Sequence, residues 1–365
     1  MKVRRAGLCL ILIIFLLMMS LILGCAGKKN ESDPALSVEG QKVTVTDSFG
    51  RIVEVPANVE RVATLYAFTG HVTTLLGKGD LIVAVNRGLK RDILFNRINP
   101  VVEAAVMPVA SDKVNIEELL KADPDLIFVQ GSVYRDERER EKLDKSRIPY
   151  LAVEFAGIEG QMQAIEAIGK ALGASDAAAR YLDYYHSVLD LIQKRVEDIP
   201  ESEKIRVYHS INEATRTYGR DNLAADWTTL AGVINVSLDQ ELKLLDNNYF
   251  AGLEQILLWD PDLILVNEDG VADYILTNKQ WSPLQAVKNS RVHQMPVGVS
   301  RWGHPGSLET PLGMLWASKL FYPERFADID ILSETRNIYR DYFNYDLSDE
   351  ELESMLSGRG MREAK

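Results

Sequence analysis

The spacing of hydrophobic and polar residues along the chain alternates between a period of two and a helical period. Residues Val43–Val55 form two alternating runs around a Ser-Phe-Gly segment, which predicts a β-hairpin. Apolar runs of strand length follow at 62–65, 81–85 and 150–153. A helix capped by Thr69 and ending near Gly77 is predicted after the first of these runs. Strands that alternate with helices indicate a mostly parallel, doubly wound sheet.

Two segments of the chain repeat each other. Residues 116–129 read IEELLKADPDLIFV and residues 253–266 read LEQILLWDPDLILV, with eight of fourteen positions identical. Each copy contains a short helical pattern, a turn with proline and an apolar run of strand length. Because a solenoid needs at least about three stacked units, two copies instead predict two similar α/β lobes. A cleft between two lobes is a preferred place for a small ligand.

The longest helical pattern lies between the two copies. From Asp176 to about Glu197, apolar residues at i, i+3 and i+4 spacing form one stripe. A helix of this length spans roughly 33 Å, which is more than a crossover within one small lobe requires. The predicted fold class is therefore α/β, with two doubly wound lobes joined by one long helix and a ligand cleft between the lobes.

These patterns predict the domain boundaries. They are a signal peptide at 1–24, a flexible tether at 25–39, an N-terminal lobe at 40–158, a helical segment at 159–200 with the joining helix at about 176–197, a C-terminal lobe at 201–332 and C-terminal helices at 333–365. The C-terminal lobe is predicted to begin with a strand at 205–209, and the last helices to break at 346–350. The tether is small, polar and non-periodic, which is typical of a flexible linker.

The first residues predict export and lipidation. Lys2, Arg4 and Arg5 precede an apolar stretch, Leu8–Leu23, which is typical of a signal sequence. The following Gly24-Cys25 completes a segment that resembles the lipobox of bacterial lipoproteins, and this resemblance implies cleavage before Cys25 and a lipid on its sulfur. The alternative is an uncleaved membrane anchor, because the stretch is only slightly shorter than the roughly 18–20 residues that span a bilayer. Both interpretations place the rest of the chain on the extracytoplasmic side of the cell membrane.

Composition narrows the function further. The chain has two cysteines, Cys9 in the signal and Cys25 at the anchor, so no disulfide, thiol catalysis or cysteine metal site is expected in the mature protein. The formal net charge of −12 becomes −15 without residues 1–24, which carry three basic residues and no acidic ones. A chain this acidic is a poor candidate for binding nucleic acid, which requires clustered positive charge.

No pattern in the sequence supports an enzyme. We find no nucleophile elbow, no Gly-rich phosphate loop and no close pair of histidine and carboxylate. Asp123 and Asp125 bracket a proline, which indicates turn chemistry rather than acid–base catalysis. The histidines are never three or four residues apart, so no helical metal site is predicted. They are His71, His186, His209, His293 and His304. We predict neither a bound metal nor a cofactor.

Four segments resemble a known family, the substrate-binding lipoproteins of ABC importers for iron–siderophore complexes, haem and cobalamin. The segments are VTDSFGRIVEVPANVERVATL at 45–65, NIEELLKADPDLI at 115–127, GLEQILLWDPDLIL at 252–265 and WSPLQAVKNSRVHQMP at 281–296. The resemblance covers nearly all of residues 40–330. It implies two lobes joined by one helix, an ABC permease dimer with its ATPase subunits as partners, and a small ligand in the cleft.

The resemblance also implies how the protein meets its permease. In this family one glutamate on each lobe docks into the permease dimer, and the matching positions are Glu117 and Glu254. Asn115 and Gly252 are plausible N-caps, which place both glutamates in the first turns of helices. A carboxylate there is also favoured by the helix dipole, so a purely structural role stays open.

The cleft should be lined by loops at the carboxyl ends of the strands, as in other open α/β sheets. The candidate ligand-binding residues are Tyr66, Arg87, Arg216, Tyr218, Arg220, Arg301, Trp302 and His304, with further contacts from Gly131, Ser132, Asn212, Asn267, Ser300 and Gly303. Tyr66 could ligate haem or pack at the rim, and His304 could contact the ligand or stabilise a turn. Arginine and tyrosine suit oxygen-rich anions, and Arg87, Arg220 and Arg301 are expected to contribute most of the binding.

The predicted ligand is an iron–siderophore or a related metal chelate. Alternatives are molybdate or tungstate, haem and corrinoids, and the excess of arginine over aromatic candidates favours an anion over haem. A function of another class, a ligand-sensing surface receptor without transport, also stays open.

Overall fold

A computed structural model describes residues 40–246 and 248–363 of the chain. The predicted signal peptide, the lipidation at Cys25 and the tether at 25–39 lie outside these residues. The described part forms a single compact unit that starts at Gly40. The domain boundaries inside this unit remain predictions.

The described chain begins with the predicted hairpin of β1 (Lys42–Thr46) and β2 (Ile52–Pro56), which pair antiparallel. A six-stranded sheet follows, made of β3 (Val62–Thr64), β4 (Ile82–Asn86), β5 (Val106–Ala110), β6 (Lys113–Val114), β7 (Leu126–Gln130) and β8 (Tyr150–Val153). The strand order is β6-β5-β4-β3-β7-β8, and all neighbours are parallel except β5 and β6.

Helices cover both faces of this sheet. They are α1 (Ala67–Leu75), α2 (Arg87–Arg91), α3 (Ile93–Ile98), α4 (Val101–Ala104), α5 (Ile116–Lys121), α6 (Gly131–Arg135), α7 (Glu137–Ser146) and α8 (Ile158–Ala171). The prediction that Thr69 caps α1 is wrong, because the helix already begins at Ala67. The Thr69 hydroxyl instead donates to the carbonyl oxygen of Tyr66 at 2.7 Å, within the first turn.

The long joining helix is confirmed as α9 (Ser175–Val196). Its buried stripe includes Tyr181 and Tyr185, whose hydroxyls each donate a hydrogen bond. Tyr181 donates to the carbonyl of Leu308 at 2.6 Å, and Tyr185 donates to the side chain of Gln161 at 2.8 Å. Helix α9 therefore binds both to α8, which precedes it, and to a loop that follows the second sheet.

The second sheet contains four parallel strands. The strands and helices of this lobe are β9 (Arg206–Ser210), β10 (Arg216–Thr217), α10 (Leu223–Leu230), β11 (Ile234–Asn235), β12 (Lys243–Leu245), β13 (Asn248–Phe250), α11 (Leu253–Trp259), β14 (Leu263–Val266), α12 (Val271–Thr277), α13 (Gln285–Lys288), β15 (Val292–Gln294) and α14 (Thr310–Phe321). The parallel sheet has the order β11-β9-β14-β15, and a small antiparallel sheet has the order β10-β13-β12. The two-lobe α/β fold class is confirmed.

The internal repeat corresponds to α5 and β7 in one lobe and α11 and β14 in the other. Asp125 and Asp262 make the same contacts: each carboxylate accepts a backbone N–H at 2.9 Å, from Arg61 and Arg206 respectively. The residues before each proline, Asp123 and Asp260, both have positive φ angles, of 46° and 41°. These aspartates therefore shape turns, as the sequence predicted.

Both repeat strands are buried on two faces, as central strands of doubly wound sheets should be. In β7, Leu126 and Phe128 face the main core that α9 shares, while Ile127 and Val129 face a second cluster under the helices of the other side. In β14, alternate residues divide in the same way between the main core and a third cluster.

The chain closes with α15 (Ile331–Phe343) and α16 (Asp349–Ser357), with a break between them as predicted. Ser348 and Glu351 form a capping box at the start of α16. Within residues 40–246 and 248–363, no helix is both long and apolar enough to cross a membrane.

Candidate ligand-binding cleft

Loops at the carboxyl ends of both sheets contain most of the predicted ligand residues. In the N-terminal lobe, Tyr66 follows β3 and Arg87 follows β4. In the C-terminal lobe, Asn267 follows β14, and the loop 295–309 that bears Arg301 and His304 follows β15. This edge is where open α/β sheets bind ligands.

On the C-terminal lobe, the cleft contains the buried cation Arg301. Its Nη1 donates to Asn212 Oδ1 and to Glu268 Oε2, both at 2.5 Å, and only 11% of its side chain is exposed. Burial and then the neighbouring Arg362 lower the pKa of Arg301 from its ordinary value, although the guanidinium stays charged. The positive charge is therefore held in a fixed position in surroundings that screen it poorly.

Two donors beside Arg301 have no acceptor among the described residues. The Tyr218 hydroxyl and the Asn267 Nδ2 are both buried, and neither has a partner in good hydrogen-bond geometry, although the Asn267 side chain is close enough to Tyr218 to oppose the rise of its pKa. Burying a donor without an acceptor costs roughly 1–3 kcal/mol. Such groups near a cleft are suited to an incoming ligand that supplies oxygen acceptors.

The N-terminal lobe meets this region through Tyr66. Its hydroxyl is 3.1 Å from the point where a Cβ on Gly306 would lie, so a side chain at this position would crowd the phenol. Burial and then the charge of Glu154 raise the pKa of Tyr66 far above its ordinary value, so the phenol keeps its proton and can donate.

His304 belongs to the same contact region. Its Nδ1 accepts from the N–H of Gly306 at 3.2 Å, which stabilises the turn, the structural role that the sequence left open. Burial, followed by Arg301 and Arg362, lowers the pKa of His304 well below its ordinary value. The ring is therefore neutral, and because Nδ1 accepts a hydrogen bond, its proton lies on Nε2.

A buried carboxylate fixes the loop that bears Arg301 and His304. Glu309 accepts from the backbone N–H of Ser300 at 2.8 Å, from the Ser300 hydroxyl at 2.9 Å and from the Tyr339 hydroxyl at 2.7 Å. Burial raises the pKa of Glu309, while these donors oppose the increase. The predicted contact from Ser300 is thus directed away from the cleft.

A cavity of about 250 Å³ lies at one side of the cleft. Asn267, Glu268 and Arg301 line it from the C-terminal lobe, and Arg91 lines it from the N-terminal lobe. Arg362 and nearby glycines, from the end of the chain, form a further wall. The lining brings three guanidinium groups, the three acidic residues Glu268, Asp269 and Glu363, and the Asn267 Nδ2, which has no acceptor among the described residues, around one space.

Several other predicted residues make contacts that the sequence did not reveal. Trp302 is fully buried and packs in the main core. The Arg220 guanidinium is exposed and paired with Asp239. Arg216 donates to the side chain of Asn248 and is close enough to Tyr218 and His304 to act on the pKa of both. Arg87 is exposed at the start of α2, at the carboxyl end of β4.

The remaining predicted contacts are Gly131 and Ser132 in the N-terminal lobe and Gly303 in the loop 295–309. Gly131 is buried against the Glu154 carboxyl, and the Ser132 hydroxyl has no partner among the described residues. Gly303 is buried with a φ of 72°, and a Cβ there would lie 2.5 Å from the Met295 sulfur.

Arg91 and Arg362 are the cavity residues that the sequence analysis missed. Arg91 lies one helical turn after Arg87, so the helical spacing of α2 could have identified it. Arg362 had no signal, because the cleft was predicted only from residues that follow strands. Within residues 40–246 and 248–363, no group of three or more histidines, cysteines or carboxylates could hold a metal ion.

The sequence model of the periplasmic binding protein family matches residues 62–297, so the chain belongs to that family. The molybdate-binding protein MolA of Haemophilus influenzae is 26% identical over 323 residues, covering 82% of this chain and 90% of that protein. YvrC of Bacillus subtilis, an uncharacterized ABC transporter substrate-binding lipoprotein, is 24% identical over 334 residues, covering 89% of this chain and 99% of that protein. A solved structure of a periplasmic solute-binding protein from Veillonella parvula is 25% identical, with a TM-score of 0.74, and covers 87% of this chain and 97% of that one.

Proposed function

We propose that this protein captures a small oxyanion of the molybdate class and delivers it to a membrane permease. It is a substrate-binding protein of an ABC transporter, in agreement with its family and with the YvrC relative. Proteins of this kind carry their ligand without transforming it.

The observation that supports an oxyanion is the set of donors beside Arg301. The Tyr218 hydroxyl and the Asn267 amide lack acceptors among the described residues, and Tyr66 is held as a neutral phenol. A tetrahedral oxyanion offers several acceptor oxygens within a small volume. It would thus satisfy donors that are costly to leave unpaired.

The size of the cavity favours the same class of ligand. At about 250 Å³, it is smaller than the roughly 300–1,000 Å³ of pockets that hold drug-sized molecules. The siderophore or other chelate expected from the sequence would therefore require the lobes to separate. MolA, one of the relatives, is a molybdate-binding protein.

Isothermal titration of the purified full chain in detergent tests the ligand. The panel contains molybdate, tungstate, sulfate, a ferric siderophore, haem and cobalamin. We expect binding of molybdate and tungstate, with Arg301→Ala weakening it by about ten- to a hundredfold through loss of a charge-assisted contact.

The matched control is Arg220→Ala, which removes an exposed arginine that already pairs with Asp239 and should leave affinity nearly unchanged. Binding of only the chelate, haem or cobalamin would refute the oxyanion. If no compound of the panel binds, the alternative of a surface receptor that senses a different ligand would be favoured.

We also propose that Glu117 and Glu254 dock onto the two halves of a permease dimer. Both are exposed in the first turns of α5 and α11, the equivalent helices of the repeat. Exposed leucines lie one turn further on each helix, Leu120 at 47% and Leu258 at 86% exposure. The two glutamates occupy equivalent positions of the repeat, and each has an exposed leucine about one turn further along, although the two leucines are not at equivalent positions. A matched pair of carboxylates suits a two-fold symmetric partner.

Anchoring by lipid at Cys25 is the proposed means of localisation, supported by the sequence before it and by the lipoprotein relative. Cys25→Ser should release the protein from the membrane fraction, because no thioether can form. Labelled palmitate that still enters the variant would contradict this assignment.

A further inference from the structure

The last described residues of the chain cross from one lobe to the other. We name residues 358–363 the C-terminal strap. The N–H of Ile93 donates to the Met361 carbonyl at 3.0 Å, and the N–H of Glu363 donates to the Arg91 carbonyl at 2.9 Å. The Arg91 guanidinium also donates to the Glu363 carbonyl, at 2.6 Å from Nη2. These bonds attach the strap to α2 and α3 of the N-terminal lobe.

The beginning of the strap is attached to the C-terminal lobe. Gly358 has a φ of 71°, and a Cβ there would lie 2.4 Å from the carbonyl oxygen of Met295. Only glycine therefore allows this close approach to the segment after β15. Arg359 pairs with Asp273 of α12 at 2.7 Å.

A buried ion pair secures the strap at its far end. Arg362 Nη1 lies 2.8 Å from Asp92 Oδ1, and Asp92 is only 2% exposed. The other Asp92 oxygen lies 3.3 Å from His71 Nε2. Removing one partner of a buried pair is strongly destabilising because the other charge stays buried. Arg362 is thus the contact on which docking of the strap most depends.

The strap is also a wall of the ligand cavity. Gly358, Gly360 and Arg362 line the cavity opposite Asn267 and Arg301. With the strap in this position, the cavity has a volume of about 250 Å³. Release of the strap would open this side of the cleft.

We propose that the C-terminal strap sets the size limit of the ligand site, and that Arg362 is the positioning residue that enforces it. The inference rests on the proposed capture of a small oxyanion. With the strap docked, a small oxyanion fits and a bulky metal chelate does not. Without it, the anion loses a preformed site and the chelate gains room.

Binding selectivity provides the first test, on the purified full chain in detergent with molybdate and a ferric hydroxamate chelate as probes. Arg362→Ala, and a chain ended after Ser357, should weaken molybdate binding by about ten- to a hundredfold. Both changes should increase chelate affinity. Arg340→Ala is the matched control, since Arg340 is exposed on α15, outside the strap and the cavity lining, and pairs with its neighbour Asp341; its affinity should stay within about twofold of the wild type.

The double variant Asp92→Asn/Arg362→Met separates loss of the strap from an unpaired buried carboxylate. It removes both charges, so it should bind chelate as the truncated chain does while remaining folded. If it keeps the wild-type selectivity, the ion pair does not set the size limit.

Hydrogen exchange measured by mass spectrometry supplies a test that needs no ligand. Peptides that contain Ile93 and Glu363 should exchange about tenfold faster in Arg362→Ala, and at the wild-type rate in Arg340→Ala. If wild type binds molybdate but neither strap variant changes selectivity, the inference is wrong. If the wild type binds no oxyanion, the proposed ligand is wrong. The proposed role of the strap is then also rejected, unless the strap variants show both faster hydrogen exchange and higher chelate affinity than the wild type.

Discussion

His209 lies in the interior of the C-terminal lobe, and neither of its ring nitrogens has a partner among the described residues. Its ring is 5.8 Å from the Tyr218 ring and 5.5 Å from that of Trp227. Burial lowers the pKa of His209 to about 3, so the ring is neutral wherever the protein is folded under ordinary conditions. A neutral histidine in an aromatic cage contributes shape rather than charge.

This burial has a consequence for stability at low pH. The folded pKa of His209 lies below the unfolded value of about 6.5, so the unfolded chain binds the proton first. Stability should therefore decrease as the pH falls from about 6.5 toward about 3, by about 1.4 kcal/mol per pH unit from this residue.

His209→Phe keeps an aromatic ring of similar size and removes the titration. Urea unfolding at several pH values should then show a shallower loss of stability below pH 6.5 than in the wild type. His186→Phe, at an exposed position on α9, is the control and should leave the slope unchanged. Equal slopes in wild type and His209→Phe would contradict this account of the buried ring.

Single residues also show where sequence reasoning about the site was limited. Tyr66, Arg301 and His304 were predicted because they follow predicted strands, and the structure places them in the same region; their role in binding remains a prediction. Trp302 was expected beside them, but the orientation of this loop depends on Glu309, whose hydrogen bonds connect residues far apart in sequence. A pattern of neighbouring residues does not reveal which member of an irregular loop turns inward.

Among the elements, α9 has the clearest energetic role. Tyr181 and Tyr185 each donate from a buried hydroxyl, to the Leu308 carbonyl and the Gln161 side chain. Tyr184 lies between them in sequence, and its buried hydroxyl has no partner among the described residues. The helix therefore contains matched tyrosines with and without a hydrogen bond.

We expect Tyr185→Phe to lower the free energy of unfolding by about 1 kcal/mol or somewhat more, because the Gln161 side chain loses its donor. Tyr184→Phe should be neutral or slightly stabilising, because it removes an unsatisfied group and keeps the ring. Chemical unfolding of both variants measures the difference. An equal loss in both would show that ring packing alone determines the contribution.

The elements were the most predictable level of the structure. Apolar periodicity gave the hairpin, the repeat strands and α9, because their burial follows directly from spacing along the chain. The start of α1 was predicted too late along the chain. The residue before the helix, Tyr66, makes no side-chain capping hydrogen bond, so the sequence contains no capping signal at the true start. Very short strands, such as β10 and β11, have no periodicity that could be recognised.

At the scale of the whole molecule, the proposed docking of both lobes leads to a transport prediction. Glu117→Ala combined with Glu254→Ala should leave ligand affinity unchanged and abolish uptake by cells. The reason is that both carboxylates are exposed on helices outside the cavity lining. Affinity is measured by titration and uptake with the labelled ligand.

The control replaces one other exposed glutamate in each lobe, Glu103 and Glu324, by alanine. It preserves the change in net charge, so uptake should stay normal. Reduced affinity in the Glu117/Glu254 variant, or undiminished uptake, would exclude the docking role.

The contact between Arg91 and Glu363 joins positions 272 residues apart in sequence. Synthesis proceeds from the N-terminus, and N-terminal parts of a chain generally fold first. Closing so long a loop costs little more than closing one of half the length, since each doubling adds only about 0.6 kcal/mol. The strap can therefore dock only after residues 358–363 have been synthesised, when both sheets are already available to fold. A chain that has both sheets but lacks the strap should therefore be without one wall of the cavity, and the proposed size limit should arise only once the strap has docked.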